Sequence, residues 1–257
     1  MQNKLMKITV AELVVEFMQR LGIETIFGIP GAHVLPIYDR LYDSPINTVL
    51  AKHEQGAAFM AGGYARVSGR IGACMATAGP GATNLITGVA NAYADKQPLL
   101  IITGEAPTYI FGKGGLQEGS GEGGSIDQVA LFSSITRYAK RVERTDYLAH
   151  VLNQAAKILL SSHPGPVLLS FPYNIQKETV DAALIEQIAM RPNARVASGN
   201  ALHIEHLADL IASASAPVIV SGYGCLRAGA QRRTIGGDFE CRAGAHGKNG
   251  LQLSRLR

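Results

Sequence analysis

The sequence predicts an α/β fold in which a parallel sheet is covered by helices on both faces. Two observations indicate this class: short, continuously apolar stretches alternate with longer stretches of helical periodicity, and glycine- or proline-containing turns separate them. A strand that is apolar at every position is buried on both sides, as parallel strands are between two layers of helices. With 257 residues, of which 47% are hydrophobic, the chain is long enough to bury a sizeable core.

The predicted elements follow one another from the N-terminus. Thr9 and Glu12 have the spacing of a capping box, so a helix should begin there and end at Gly22. Pro36 is tolerable only near the first turn of the second helix. The predicted strands are 24–30, 46–52, 72–77, 98–104, 138–142 and 165–172. The predicted helices are 10–21, 32–43, 51–66, 81–95, 125–134 and 146–162, with a glycine-rich loop at 112–124, either a mobile lid or an ordinary surface loop.

The chain is predicted to divide into four segments. Residues 1–175 form the first α/β domain, and the polar residues 176–199 form a linker. Residues 200–226 hold one helix and one strand, which is an incomplete second α/β domain. Residues 227–257 lose periodicity and carry seven basic and two acidic side chains. We expect this tail to be disordered or the product of a shifted reading frame; nucleic-acid binding by it is the least favoured interpretation.

Several classes of function are excluded or disfavoured. No apolar run is long enough to span a membrane and no secretion leader precedes the first helix, so the expected location is the cytoplasm. The three cysteines, Cys74, Cys225 and Cys241, lack metal-type spacing, and the seven histidines form no metal constellation. There is no dinucleotide fingerprint, no phosphate-loop lysine and no nucleophile elbow. No metal is therefore expected on this chain.

Three predicted strand ends carry distinctive residues. They are GIPGAH at 28–33, HEQ at 53–55 and TAGPGATN at 77–84. In open parallel sheets ligands bind at the carboxyl ends of the strands, so these stretches should line one cleft. The helix at 51–66 contains three glycines, each costing about 0.5–1 kcal/mol relative to alanine, and it places Glu54 where its apolar face begins. This loss of helix stability indicates that the glycines serve a purpose other than helix formation.

The combination of these motifs is more specific than any one of them. GIPG, HEQGAAFMAGGYAR, TAGPGATNLITGVANAYAD and PLLIITGE, in this order and spacing, closely resemble the N-terminal domain of thiamine-diphosphate-dependent enzymes. The nearest subgroup is the acetolactate synthase (acetohydroxyacid synthase) large subunit. LQE at 116–118 and HPGPVLLSFPYNIQ at 163–176 continue the resemblance, which covers roughly residues 6–226. It implies a pyrimidine-binding domain with an α/β fold.

The resemblance also implies roles for single residues. Glu54 matches the glutamate that hydrogen-bonds N1′ of the cofactor's aminopyrimidine and activates the cofactor, a task that favours a buried, water-poor site. Gln117 resembles a glutamine that approaches the substrate. The turn against the pyrimidine is matched by Gly28, Pro30 and Gly31. The loop beneath the cofactor and the reacting centre is matched by Thr77, Gly79, Pro80, Gly81 and Asn84.

The implied activity is that of a transferase of branched-chain amino acid biosynthesis. Such a carboligase decarboxylates a 2-keto acid such as pyruvate and transfers the two-carbon unit to a second 2-keto acid. Enzymes of this kind form homodimers or homotetramers, in which a C-terminal domain of the partner chain binds diphosphate and magnesium; the acetolactate synthases also hold FAD.

Three departures from the family pattern leave alternatives open. GSGEGGSIDQ at 119–128 and SFPYN at 170–174 differ from acetolactate synthases, so chemistry like that of benzoylformate decarboxylase, oxalyl-CoA decarboxylase or sulfoacetaldehyde acetyltransferase remains possible. The diphosphate and magnesium motif of the family is absent. We therefore expect a truncated or frameshifted product that is inactive alone, with a non-catalytic fragment as the alternative.

Overall fold

The computed structural model describes residues 6–190, 200–216, 218–221, 223–224 and 252–255, the backbone alone for 218–221 and 252–255. The chain separates into two compact units, Met1–Ala194 and Arg195–Arg257. The strands of the first unit are β1 (Lys7–Thr9), β2 (Thr25–Gly28), β3 (Asn47–Leu50), β4 (Gly72–Ala76), β5 (Leu99–Glu105), β6 (Tyr138–Arg141), β7 (Val167–Pro172) and β8 (Thr179–Asp181).

The first unit is built on a six-stranded sheet with the order β3-β2-β4-β5-β7-β6, in which every pairing is parallel. Helices α1 (Val10–Arg20), α2 (Leu35–Tyr42), α3 (Glu54–Ser68), α4 (Pro80–Asn84), α5 (Ile86–Ala94), α6 (Gln128–Ser133), α7 (Leu148–Leu159) and α8 (Tyr173–Lys177) accompany it, with short 3-10 turns at Ala32–Val34, Thr108–Ile110 and Ala182–Gln187. The predicted α/β fold with a parallel sheet is confirmed.

Burial on both faces explains the continuous apolar strands. β4, β5 and β7 are buried at every residue. Along β5, Leu100 and Ile102 face a core formed with α1, α2 and α7, whereas Leu99 and Ile101 face a second core formed with α3, α5 and α6. Each such side chain contributes about 1.5–3 kcal/mol when it is fully buried. The central strands therefore hold both layers of helices in place.

The predicted helix signals are largely confirmed. At the start of α1 the Glu12 amide donates to the Thr9 hydroxyl (3.2 Å) and the Thr9 amide donates to the Glu12 carboxylate (2.6 Å), a complete capping box. The Thr9 backbone hydrogen bond lowers the pKa of Glu12. Pro36 lies in the first turn of α2. The helix predicted at 81–95 is two helices, α4 and α5, interrupted at Leu85.

The prediction of a linker at 176–199 is wrong for the residues up to 190. Thr179–Asp181 is a strand that pairs antiparallel with Lys7–Thr9, so that Ile8 lies opposite Val180. Val180, Ile185 and Ile188 are buried in the core of the first unit. The polar residues around them conceal this apolar anchoring in the sequence. The first domain thus extends at least to residue 190, and residues 191–199 lie outside the described part.

The second unit contains α9 (Ala201–Ser213), which begins with the Asn200 side chain accepting from the Leu202 amide (3.0 Å). A strand β9 (Val218–Ser221) pairs antiparallel with β10 (Gln252–Arg255). The structure thus has a strand, held by backbone pairing, at four tail residues where the sequence analysis expects disorder. Residues 225–251, with Cys225 and Cys241, lie outside the described residues. In the part of the chain that the structure describes, no helix has the length and apolarity needed to cross a membrane.

Candidate functional site

The three distinctive strand ends meet at one edge of the sheet. β3, β2 and β4 are neighbours and run parallel, so the segments that follow them emerge on the same side. The turn at 29–34 follows β2, residues 51–53 lead from β3 into α3, and the loop 77–79 leads from β4 into α4. We call this edge, with the loop residues 115–119 beside it, the cleft.

Glu54 is the first residue of α3, where a helix N-terminus favours a negative charge. Its Oε2 accepts a hydrogen bond from the Asn84 side-chain amide at 3.0 Å. Its Oε1 has no hydrogen-bond partner among the described residues and lies 3.5 Å from the position that a Cβ on Gly81 would occupy. One carboxylate oxygen is therefore fixed, and the other remains available to a ligand in front of Gly81.

The expectation that Glu54 lies in a buried, water-poor site is met only in part in the single chain. Glu54 is half-buried, and the neighbouring Lys52 and His53 are exposed. Glu54 lies in the first turn of α3, directly after these exposed residues, which explains its partial exposure. On the opposite face of α3, Cβ atoms added to Gly56 or Gly63 would have no atom within 4 Å. These two glycines are thus not needed for close packing inside the chain.

Thr77 lies at the centre of the cleft. Its hydroxyl donates to Oε1 of Gln117 (3.2 Å) and is 3.1 Å from Nδ1 of His33. The rest of its side chain fills the space above two glycines: a Cβ on Gly31 would lie 2.6 Å from the Thr77 Cβ, and a Cβ on Gly81 would lie 2.7 Å from its methyl group. Gly31 and Gly81 must be glycine because they pack directly on Thr77.

Gly79 and Gln117 hold the loop 115–119 against the β4–α4 turn. Gly79 has φ +57°, and a Cβ there would lie 2.7 Å from the Gln117 carbonyl oxygen. Gln117 itself has φ +53°, a conformation that a residue with a side chain rarely adopts and that costs about 1–3 kcal/mol. The two backbones are thus in close contact, and the Gln117 side chain points to Thr77 from a strained position.

The remaining predicted residues lie at the margin. A Cβ on Gly28 would collide with the Met75 carbonyl oxygen and lie 2.6 Å from the Tyr38 hydroxyl, so this glycine is explained by the packing of β2 on β4. Pro30 and Pro80 are exposed, and Pro80 is the first residue of α4. The structure therefore groups Glu54, Thr77, Gly31, Gly79, Gly81, Asn84 and Gln117, and places Gly28 inside the fold.

Sequence reasoning missed the role of His33. Its side chain is only 6% exposed, and burial lowers the pKa of its imidazole, which favours the neutral ring. The sequence analysis included His33 in the stretch GIPGAH, expected to line the cleft, but gave it no role of its own and otherwise considered the histidines only as metal ligands. Among the described residues no group of three or more His, Cys, Asp or Glu side chains is arranged to hold a metal ion. The position of His33 two residues after the GIPG turn was the signal that could have indicated a role.

Gln128 and Glu118 were also missed, and they hold the loops of the cleft. The buried Gln128 amide donates to the Gly104 carbonyl (2.8 Å) and the Ser170 hydroxyl (2.9 Å) and accepts from the Gly79 amide (3.2 Å). Glu118 accepts from the amides of Gly112 (2.6 Å) and Gly115 (3.0 Å). A hydrogen bond from Ser120 is the main cause that lowers the pKa of Glu118. Glu118 thus ties the glycine-rich loop together.

Comparison with known families agrees with this geometry. Residues 8–131 match the family model described as thiamine pyrophosphate enzyme, N-terminal TPP binding domain; thiamine pyrophosphate, TPP, is another name for thiamine diphosphate. This chain carries the N-terminal domain of a thiamine pyrophosphate enzyme. The matched residues contain the whole arrangement around Glu54 and Thr77, including Asn84 and Gln117.

Several curated relatives of this TPP-binding domain are acetolactate synthases. The chain is 36% identical over 231 residues to the probable acetolactate synthase large subunit of Methanocaldococcus jannaschii. The matched region covers 88% of this chain and 37% of the relative. It is 36% identical over 230 residues to the acetolactate synthase isozyme 1 large subunit of Escherichia coli, and this match covers 89% of this chain and 39% of the relative. The acetolactate synthase large subunit of Corynebacterium glutamicum is 36% identical over 225 residues (87% and 35%).

These relatives support the subgroup that the sequence resemblance indicates. The domain is a TPP-binding domain of the acetolactate synthase-like type. The chain spans about 37% of the length of the first of these relatives.

Proposed function

We propose that this chain supplies the aminopyrimidine side of a thiamine diphosphate site in an acetolactate synthase-like carboligase, with Glu54 as the activating carboxylate. The observation that carries the proposal is the free Oε1 of Glu54 at the cleft, beside an Oε2 held by Asn84 at 3.0 Å. A carboxylate so placed can share a proton with a ring nitrogen while its orientation stays fixed. The cofactor, when bound, supplies the electron sink for decarboxylation of the 2-keto acid.

The residues of the cleft fit the cofactor that the family implies. A Cβ on Gly81 would occupy the space in front of the Glu54 carboxylate, so the glycine keeps that space open for a flat ring. Thr77 and Gly79 form the floor, and Gln117 is proposed to approach the substrate from the side of the loop. Pro30 and Gly31 are proposed to border the pyrimidine; Gly28 would act only indirectly, by allowing β2 and β4 to approach.

The outer face of α3 offers a surface for self-association. Phe59 (43% exposed) and Met60 (39% exposed) form an apolar patch on this face, and Gly56 and Gly63 leave room there for a close neighbour. A second copy on this face would bury that apolar surface. We propose a homodimer or homotetramer on this ground. Magnesium, the diphosphate and FAD would be held by domains outside this one.

Calorimetric titration of the purified chain tests the proposal. Thiamine diphosphate should bind the chain through its aminopyrimidine half, with or without magnesium, and Glu54→Gln should weaken binding at least tenfold, about 1.4 kcal/mol, because the amide cannot accept the shared proton. Glu205→Gln, which removes the same charge from an exposed position of α9, is the matched control and should bind normally. Equal affinity of the Glu54→Gln variant and its parent would contradict the role of Glu54. No binding by the parent would favour a non-catalytic chain.

A further inference from the structure

We propose that His33, Thr77 and Gln117 form a hydrogen-bond relay in which His33 fixes the Gln117 side-chain amide with its N–H groups toward the cleft. His33 is the positioning residue, and Gln117 is the group that contacts the ligand. The hydrogen bonds of the relay lie within this chain and do not depend on the proposed function. What the relay implies for substrate binding does rest on the proposed function: this side of the cleft would bind an oxygen atom of the substrate.

The direction of the relay follows from what a hydroxyl can do. Thr77 Oγ1 is 3.2 Å from Oε1 of Gln117 and 3.1 Å from Nδ1 of His33. A hydroxyl has one proton to donate, and when that proton goes to Gln117 its lone pair must face His33. Nδ1 of His33 then has to be the protonated ring nitrogen. Burial lowers the pKa of His33, so the ring is neutral and its Nε2 carries the lone pair.

His33 is held from three sides, which allows it to impose this direction. Its carbonyl oxygen accepts a hydrogen bond from the Gln176 amide at 2.6 Å. Its backbone and Cβ lie against Gly104, where any side chain would collide with them. The residue is buried, with Thr77 at Nδ1 and a further side-chain hydrogen bond to Gln117. A ring with so little freedom acts as a fixed donor, whereas the Thr77 hydroxyl can rotate to follow it.

The consequence appears at Gln117. Its Oε1 accepts from Thr77, and a further side-chain hydrogen bond joins Gln117 directly to His33. In the proposed direction Oε1 accepts both bonds, so the two N–H groups of this half-buried side chain, on a strained backbone with φ +53°, are left to a ligand at the cleft. Two unpaired donors bind an acceptor best, and the carboxylate or carbonyl oxygens of a 2-keto acid are acceptors of that kind.

The opposite direction is a distinct physical state. If the Gln117 amide were turned over, its Nε2 would donate to Thr77, Thr77 would donate to His33 Nδ1, and the ring proton would lie on Nε2. Gln117 would then present an oxygen and bind a donor instead of an acceptor. The tautomer of His33 therefore reports which way Gln117 points.

Long-range ¹H–¹⁵N NMR of the histidine rings in the purified chain at neutral pH tests the relay. The signals of His33 are assigned by their loss in His33→Gln. We expect the Nδ1–H tautomer in the parent chain, although free histidine prefers Nε2–H. Thr77→Val keeps the shape but removes the hydroxyl, and should shift His33 to mainly Nε2–H. Thr77→Ser retains a hydroxyl and is the control that should keep Nδ1–H.

An Nε2–H tautomer in the parent chain, or a tautomer that Thr77→Val leaves unchanged, would overturn the proposal. Circular dichroism of each variant confirms that the fold is retained. The measurement uses no cofactor, so its outcome is independent of the calorimetric titration: the relay can fail while thiamine diphosphate still binds, and the reverse.

Discussion

The interior of the sheet and its carboxyl edge are built in opposite ways. The interior strands β4, β5 and β7 are buried at every residue and are held by many apolar contacts that no single residue dominates. The edge depends on a few directional bonds around Thr77, on glycines that no other residue can replace, and on one strained residue, Gln117. Stability and ligand geometry therefore depend on different residues, and substitutions should separate the two.

The largest effect is expected in the interior. Ile101→Ala leaves a cavity at a fully buried position and should lower the free energy of unfolding by about 2–5 kcal/mol in urea denaturation. Val67→Ala, at a position 90% exposed on α3, is the control and should change it by less than about 0.5 kcal/mol. A loss as small for Ile101→Ala as for Val67→Ala would show that the interior is less tightly packed than described.

Glu105 lies where the two regions meet, and it makes stability depend on pH. Its Oε1 accepts from the amides of Ala106 (2.8 Å) and Gly119 (2.9 Å), while its Oε2 is buried without a partner. Burial is the main cause that raises its pKa above the ordinary value of 4.5. The stabilising contribution of the protonated acid is thus complete below about pH 4.5 and is lost as the pH rises through the folded-state pKa.

Glu105→Gln should therefore reduce the decrease in the free energy of unfolding as the pH rises. Urea denaturation at a series of pH values measures the slope of this free energy against pH. Glu205→Gln on the exposed face of α9 controls for the change in net charge. The amide keeps an oxygen for the two backbone donors. If the slope of the Glu105→Gln variant matched that of its parent, the buried carboxyl would not be the group that titrates.

Two glycines of α3, one inside the helix and one at its C-cap, should affect stability and self-association differently. Gly63 and Gly69 both have open space around them, but only Gly69, the C-cap of α3, has a positive φ of +71°. In the single chain, Gly63→Ala should raise the free energy of unfolding by about 0.5–1 kcal/mol, and Gly69→Ala should lower it by about 1 kcal/mol.

The same pair distinguishes stability from self-association. If a second copy packs on α3 as proposed, Gly63→Ala should weaken association about fivefold or more in analytical ultracentrifugation, since the added methyl group separates the helices. Gly69→Ala lies at the helix end and should leave association unchanged. Tighter or equal association of the Gly63→Ala variant would place the contact elsewhere.

The smallest effect on stability is expected at the edge. Asn84→Ala removes an exposed side chain that holds Glu54, so unfolding should change by less than about 0.5 kcal/mol. Affinity for thiamine diphosphate should nevertheless fall about threefold, because the carboxylate loses its fixed orientation. Thermal denaturation and calorimetry on the same sample compare the two quantities. A parallel fall in both would mean that Asn84 supports the fold rather than the ligand site.

The sequence predicted the interior better than the edge for a physical reason. Apolar periodicity reports burial, and β4, β5 and β7 are where burial is complete. Three-residue strands such as β1 and β8 are too short to show a period, so the anchoring of 179–188 was mistaken for a linker. The interruption of the helix at Leu85 has no glycine or proline at that position to reveal it.

The cleft was predicted through motifs, which name residues but not their contacts. The turn and loop glycines were identified, yet only coordinates show that Gly31 and Gly81 pack on Thr77 while Gly28 serves strand packing. The role of His33 was not predicted because its partner Thr77 lies 44 residues away along the chain. Contacts of that kind leave no periodic trace in one sequence.

The buried amide of Gln128 joins the turn at Gly79 to the interior through Gly104 and Ser170. The mostly exposed, glycine-rich stretch 121–126 lies between Gln117 and this anchor, and it carries none of those three bonds. A change in the length of this stretch should therefore leave the β4–α4 turn in place. Insertions between residues 121 and 126 are thus a way to vary the rim of the cleft while its anchoring to the interior is kept.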